Sequence, residues 1–239
     1  EAALLAARKD RKVIIMPDLE ESIIKVIAGP EKKSRVVSER ERRLTAIHEA
    51  GHAVVMHRLA TADPVHQITI IPRGGAGGMT ISLPTEDKSF ASRNEMYEDI
   101  VAFLGGRVAE QLHLDDISTG ASNDLQRATA LARDMVAKYG MSDALGAVSY
   151  DEGGEIFVGN NYEKQVGYSQ RVAGEIDHEV TILMKKAYEH CTKIIEEHHD
   201  KLEQVAAYLL ENDHMSGKDF ATMMDSKPVV KADVLEEQE

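Results

Sequence analysis

The sequence predicts a mainly α-helical fold carrying a small β-sheet or hairpin. Three observations lead there. Apolar residues recur at helical spacing in four long stretches, residues 38–60, 92–112, 123–139 and 169–197. Two of these open on a capping box, Ser38 with Glu41 and Ser92 with Glu95. Only two neighbouring runs, Val65–Ile71 and Met79–Leu83, read clearly as strands. At 239 residues, 43% hydrophobic and 29% charged, the chain can bury a sizeable core in one or two domains.

Taken in order, Glu1 to Arg8 is alanine-rich and helical. Asp18 reads as the N-cap of a helix over Leu19–Ala28, which Gly29-Pro30 ends. A basic, polar connector over 31–35 shifts the composition and marks a boundary, giving segments 1–32 and 33–225. The helix opened by Ser38 runs to about Ala60, and Asp63-Pro64 breaks it. Between the two strands, Pro72–Gly78 holds four glycines and a proline. It contains no G-x-x-x-x-G-K-[ST] and leads into a strand instead of a helix N-terminus, which excludes a phosphate loop. An exposed edge of the hairpin would suit an extended peptide.

Ser92 then opens a helix to about Leu112, with Gly105-Gly106 in its middle suggesting close packing. After a loop over Asp115–Ser122, a helix runs from Asn123 to Tyr139 and Gly140 closes it. Ser142–Gly159 reads as loop with one or two weak strands. Helices follow over Ser169–Glu197, Asp200–Leu210 and Lys218–Met224, the last capped by Ser216. From Lys227 the chain is acidic and aperiodic, and 226–239 is expected to be a flexible tail.

The chemistry-bearing stretch is His48-Glu49-Ala50-Gly51-His52. Residues four apart share a helix face, so both histidines can turn toward one metal ion, with Glu49 beside them to activate a water. The plain alternative is a solvent-facing histidine pair. Against it, Leu44, Ile47, Gly51, Val54, Val55 and Leu59 mark an apolar face beside the pair, which puts the histidines at its margin. Gly51 costs about 1 kcal/mol relative to Ala in a helix interior, so either something approaches the backbone there or it is a packing glycine.

A catalytic zinc site takes three protein ligands and keeps a position open, so one ligand is missing. Arg58 stands six after His52, which excludes the extended three-histidine form. His57 lies about 140° around the helix from His52 and reads as surface. His178-Glu179 and His198-His199-Asp200 read as solvated helix surface. Carboxylates remain: Glu110 in Gly-Gly-Arg-Val-Ala-Glu, and Asp124 in Thr-Gly-Ala-Ser-Asn-Asp, a helix-start position where Asp is also a common cap. The residues alone do not choose between them.

A formal net charge of -13, from 28 Lys and Arg against 41 Asp and Glu, argues against nucleic-acid binding. The single cysteine, Cys191, excludes an internal disulfide and a cysteine-rich zinc module, and fits a reducing compartment. No run of eighteen apolar residues and no basic leader occurs, so neither a membrane span nor a signal peptide is expected in this stretch. Starting at Glu1, the chain is treated as a possible fragment.

His-Glu-Ala-Gly-His-Ala, Thr-Ile-Ile-Pro-Arg-Gly, Gly-Gly-Arg-Val-Ala-Glu and Ser-Thr-Gly-Ala-Ser-Asn-Asp-Leu stand in one order. Together they resemble the protease domain of the FtsH family of membrane-anchored AAA zinc metalloproteases, over roughly residues 1 to 225. The resemblance implies Asp124 as the third zinc ligand with His48 and His52, Glu49 as general base, and Glu110 in support near the site. It implies that residues 1–32 are the last helices of an AAA lid. ATP and Mg2+ would then belong only to the absent AAA part. The implied parent is an ATP-driven homo-hexamer that unfolds and digests proteins and peptides. Its anchor would sit in an inner or plasma membrane with this domain on the cytoplasmic side, or in an organellar membrane. Rival classes are a small-peptide or amide hydrolase and a non-catalytic helical assembly module; the latter would be favoured had Glu49 been replaced.

Overall fold

The computed structural model describes residues 1–32, 37–114, 116–150 and 168–226. Among these residues, eight α-helices accompany one three-stranded antiparallel sheet, which bears out the mainly helical expectation. Helix α1 spans Ala2–Arg8 and α2 spans Met16–Ala28. α2 starts three residues before the expected Leu19, because Pro17 sits in its first turn, where a missing N–H goes unneeded. Asp18 is therefore inside the helix and not its cap. Its fully buried carboxylate accepts from the Ile15 amide at 3.3 Å and pairs with Arg11.

Helix α3, Glu39–Arg58, is capped by Ser38, whose Oγ accepts from the Glu41 amide at 3.2 Å. It ends two residues before the expected Ala60, at an extended Leu59. Strands β1, Val65–Thr69, and β2, Met79–Ser82, form the expected hairpin. Between them, Arg73 is 2% exposed and reaches back to the N-terminal part. Its guanidinium donates to both carboxylate oxygens of Glu21 at 3.1 Å and to Glu31 Oε1 at 2.6 Å. The Lys32 amide also donates to the Pro72 carbonyl at 2.8 Å.

Helix α4, Arg93–Leu114, begins with a reciprocal box: the Ser92 amide donates to Glu95 Oε2 at 2.7 Å, and the Glu95 amide to Ser92 Oγ at 3.2 Å. α3 and α4 meet backbone to backbone. A Cβ on Gly51 would lie 2.5 Å from both the Gly105 carbonyl oxygen and the Ala109 methyl, and one on Gly105 would lie 2.9 Å from the Gly51 oxygen. Only glycines allow that approach.

A 3-10 turn at Thr119–Ala121 leads into α5, Ser122–Arg133. The expected regular helix to Tyr139 widens over Asp134–Lys138 into a π turn, where the Tyr139 amide bonds to the Asp134 carbonyl, five residues back, at 3.0 Å. Helices α6, Gln170–Glu197, α7, His199–Asn212, and α8, Gly217–Asp225, complete the body. Between α7 and α8 runs β3, His214–Ser216, making the strand order β2-β1-β3. β3 was not anticipated, since three residues are too few to show alternation.

The core collects Ala50 and Val54 of α3, Ile100 and Leu104 of α4, Ile195 of α6 and Leu202 of α7, each at most 1% exposed. Each large apolar side chain so buried stabilises by roughly 1.5–3 kcal/mol. α3 lies between α4 and α7 with the sheet alongside, which buries its polar side chains His48 and Glu49. Of the weak strands expected within 142–159, residues 142–150 form none; 151–159 lie outside the described residues, as do 33–35 of the connector and 227–239 of the tail. No helix among the described residues is long and apolar enough to cross a membrane.

Candidate metal centre

α3 brings His48 and His52 to one face, one turn apart, with His48 buried and His52 half-buried. Each ring is held through Nδ1. His48 Nδ1 lies 2.7 Å from Glu110 Oε1, and His52 Nδ1 lies 2.8 Å from the Ala102 carbonyl oxygen. A carbonyl only accepts, so His52 Nδ1 carries the hydrogen and Nε2 of the neutral ring keeps its lone pair; the Glu110 carboxylate imposes the same on His48. The two Nε2 atoms face each other at 3.1 Å, with the rings edge to face.

Asp124, the third residue of α5, completes a triangle. Its Oδ2 lies 3.4 Å from His48 Nε2 and 3.6 Å from His52 Nε2. A tetrahedral zinc ion with bonds of about 2.0–2.1 Å needs ligand atoms roughly 3.3 Å apart, so two imidazoles and one carboxylate at these separations fit it in chemistry and in size. Burial alone would push the His48 pKa down. Its hydrogen bonds to Asp124 and Glu110, with the nearby Glu49 charge, outweigh that and raise it to about 10. Burial likewise opposes ionisation of Asp124, but its bonds to His48 and His52 hold it well below the usual carboxylate range. A cation taken up here would displace a proton.

Glu110 occupies the other side of His48, at Nδ1, away from the triangle. It is fully buried, and its second oxygen accepts from the Ser118 amide at 2.7 Å. Ser118 Oγ in turn accepts from the Gly120 amide at 3.0 Å, in the turn that starts α5. One carboxylate thus orients a ring and fastens the loop that presents Asp124. Burial works against its ionisation, yet the His48 and Ser118 bonds keep its pKa below the ordinary value. Gly106 lies against the same ring, where an added Cβ would fall 2.4–2.5 Å from three His48 ring atoms.

Glu49 is buried, 6% exposed, and touches the hairpin. Thr80 Oγ1 lies 2.8 Å from its Oε2 and 3.0 Å from its carbonyl oxygen. Gly78 passes its Oε1 so closely that a Cβ would sit 2.9 Å away. Burial raises the Glu49 pKa, and the charges of His48 and His52 with the Thr80 hydroxyl moderate the rise. Thr80, Gly78, Ser118 and the Ala102 carbonyl are absent from the sequence reading, because no periodicity links them to α3. Only the strand-glycine-strand pattern beside the motif hinted at the first two.

The family pattern of Peptidase family M41 matches residues 35–223. The chain belongs to that family. Among similar proteins, the ATP-dependent zinc metalloprotease FtsH 2 of Alkaliphilus metalliredigens is 53% identical over 239 residues, covering 99% of this chain and 35% of that protein. The ATP-dependent zinc metalloprotease FtsH of Caldicellulosiruptor bescii is 49% identical over 95% of this chain and 38% of its own. That of Bacillus subtilis is 44% identical over 94% and 36%. The chain therefore spans about a third of the length of the curated relatives it matches. The resemblance read from four ordered motifs is borne out.

The other histidines stay apart from the triangle. His57, expected at the surface, is half-buried edge-on to Phe220, with ring centroids 5.4 Å apart, because α8 packs over that side of α3. His178 is exposed. His199 is exposed too, but its ring stacks on that of His113, centroids 4.3 Å apart.

Proposed function

We propose that this M41 chain is the zinc-dependent endopeptidase part of a longer ATP-driven protease, with His48, His52 and Asp124 as zinc ligands, Glu49 as general base and Glu110 in support. The observation that carries the proposal is the triangle of 3.1, 3.4 and 3.6 Å between two imidazole nitrogens and a carboxylate oxygen, with a buried glutamate one residue from the first ligand. When bound, zinc supplies Lewis acidity toward a water and a peptide carbonyl. Thr80 holds one Glu49 oxygen, leaving Oε1 to take the proton of the attacking water and to return it to the departing amine. A carboxyl raised by burial is the better base for that transfer.

The names of the relatives support zinc and ATP dependence, and the rest is proposed from the family resemblance of the sequence. Residues 1–32 would be the end of an AAA lid, 33–225 the protease domain and 226–239 a tail. ATP and Mg2+ would serve the AAA part outside this chain. The full-length protein would be a homo-hexamer anchored in an inner or plasma membrane with this domain on the cytoplasmic side, an organellar membrane being the alternative, and would degrade unfolded, membrane and regulatory proteins. The test is Glu49→Gln in the full-length protein. Bound zinc should stay equal to that of the unaltered protein while cleavage of unfolded casein is lost; retained cleavage overturns the mechanism.

A further inference from the structure

A second cluster of metal-ligating side chains stands where α4 and α7 meet. His113 lies in the last turn of α4, His199 is the first residue of α7, and Glu203 follows one turn on. One ligand atom from each can be chosen so that all lie within 4.8 Å of one another. His199 Nε2 is 3.6 Å from Glu203 Oε1, the i, i+4 pairing that lets a helix present two donors to one ion.

His113 gives the independent reason. Its Nδ1 lies 3.2 Å from the Ala109 carbonyl oxygen, so that nitrogen carries the hydrogen and Nε2 keeps a lone pair. Among the described residues that Nε2 has no hydrogen-bond partner, although it is shut off from solvent. A buried polar atom without a partner costs roughly 1–3 kcal/mol, and a ligand atom awaiting an ion is one explanation of why it is kept. A backbone carbonyl of the same helix holds Nδ1 of His52 in the same way.

We propose that His113, His199 and Glu203 form a second site for a divalent transition metal of the zinc class. Two nitrogens and one oxygen suit such an ion, and not calcium or magnesium, which prefer oxygen. The His199 ring is stacked on His113 at 4.3 Å between centroids, so it has to turn out of that stack for both lone pairs to meet one ion; His199 and Glu203 are exposed and can rotate to bring the ligand atoms to the roughly 3.3 Å that the ion requires. Their exposure also makes this site weaker than the triangle on α3. Occupied, it ties α7 to α4 three residues beyond Glu110.

The test is titration of the full chain with Zn2+ alone, read by competition with a chromophoric chelator. The unaltered chain should take up two ions in separate affinity classes. H199A and E203Q, both at exposed positions, should each lose the weaker ion and keep the tighter one. H52A should do the reverse, and H57A should keep both. Uptake of one ion by the unaltered chain, or two ions still bound by H199A, overturns the site.

Discussion

Substituting Glu110 by Gln keeps shape and volume but halves what the side chain can accept. The carboxylate receives two hydrogens, from His48 Nδ1 and the Ser118 amide, each at 2.7 Å. A glutamine offers one oxygen, and its amide group then faces a donor with a donor. If the amide faces Ser118, a buried N–H is orphaned. If it faces His48, the ring must shift its hydrogen to Nε2, toward the metal. The first outcome leaves a buried N–H unpaired, at roughly 1–3 kcal/mol, and the second puts a hydrogen on the nitrogen that must bind the metal, at a similar order of cost. At 1.4 kcal/mol per tenfold, zinc binding should weaken about 10- to 100-fold, the range found for partners behind metal-bound histidines. Chelator competition at fixed pH measures this directly, with a thermal melt of the metal-free chain alongside. Zinc affinity within about twofold of the unaltered chain would refute the role given to this carboxylate.

Three further outcomes are expected. Gly106→Ala should weaken zinc and destabilise by about 1–3 kcal/mol through overpacking against the His48 ring, despite the better helix propensity of Ala; a more stable protein with unchanged zinc binding would contradict this. Lys201→Met should cost about 1.5–3 kcal/mol in denaturant unfolding and leave zinc untouched, because the buried Nζ donates to the Met223 and Ser226 carbonyls at 2.5 and 2.7 Å, where α8 ends. Glu95 should titrate at about 2, held down first by the Ser92 amide and then by Lys88. Since its folded value lies below the ordinary 4.5, the stability it lends is present above pH 4.5 and lost as pH falls toward 2. Carboxyl shifts by NMR in the unaltered chain and in E95Q check it.

The helix starts were legible because capping is a local event: Ser38, Ser92, Ser169 and Ser216 each accept from an amide three residues on. His48, Glu49 and His52 were legible because one helical turn brings them together. Asp124 against Glu110 was not, since the choice turns on which side of the His48 ring each carboxylate occupies. That is set by the α3–α4 crossing, which leaves no trace beyond three glycines. Asp18 misled in the same way. An acid before an apolar run looks like a cap, and it takes Arg11 and Lys9, seven and nine residues back, to show that it is a buried ion partner. The Thr80 contact to Glu49 spans 31 residues and depends on strand register, which no spacing rule reports.

The composition shift near residue 32 looks like a natural place to shorten the protein, and the Arg73 guanidinium says otherwise. Both of its carboxylate partners, Glu21 and Glu31, lie on the far side of that point. Trimming there removes both carboxylates from a cation that is 2% exposed in the whole chain, and strips away the backbone contacts of residues 28–32 that help cover it. The loop can relieve the unpaired charge by swinging Arg73 out to water, and Gly78, which brushes the Glu49 carboxylate, is part of that loop. Where the chain is cut thus decides more than which helices are retained, because the first thirty-two residues hold shut the strap lying over the base.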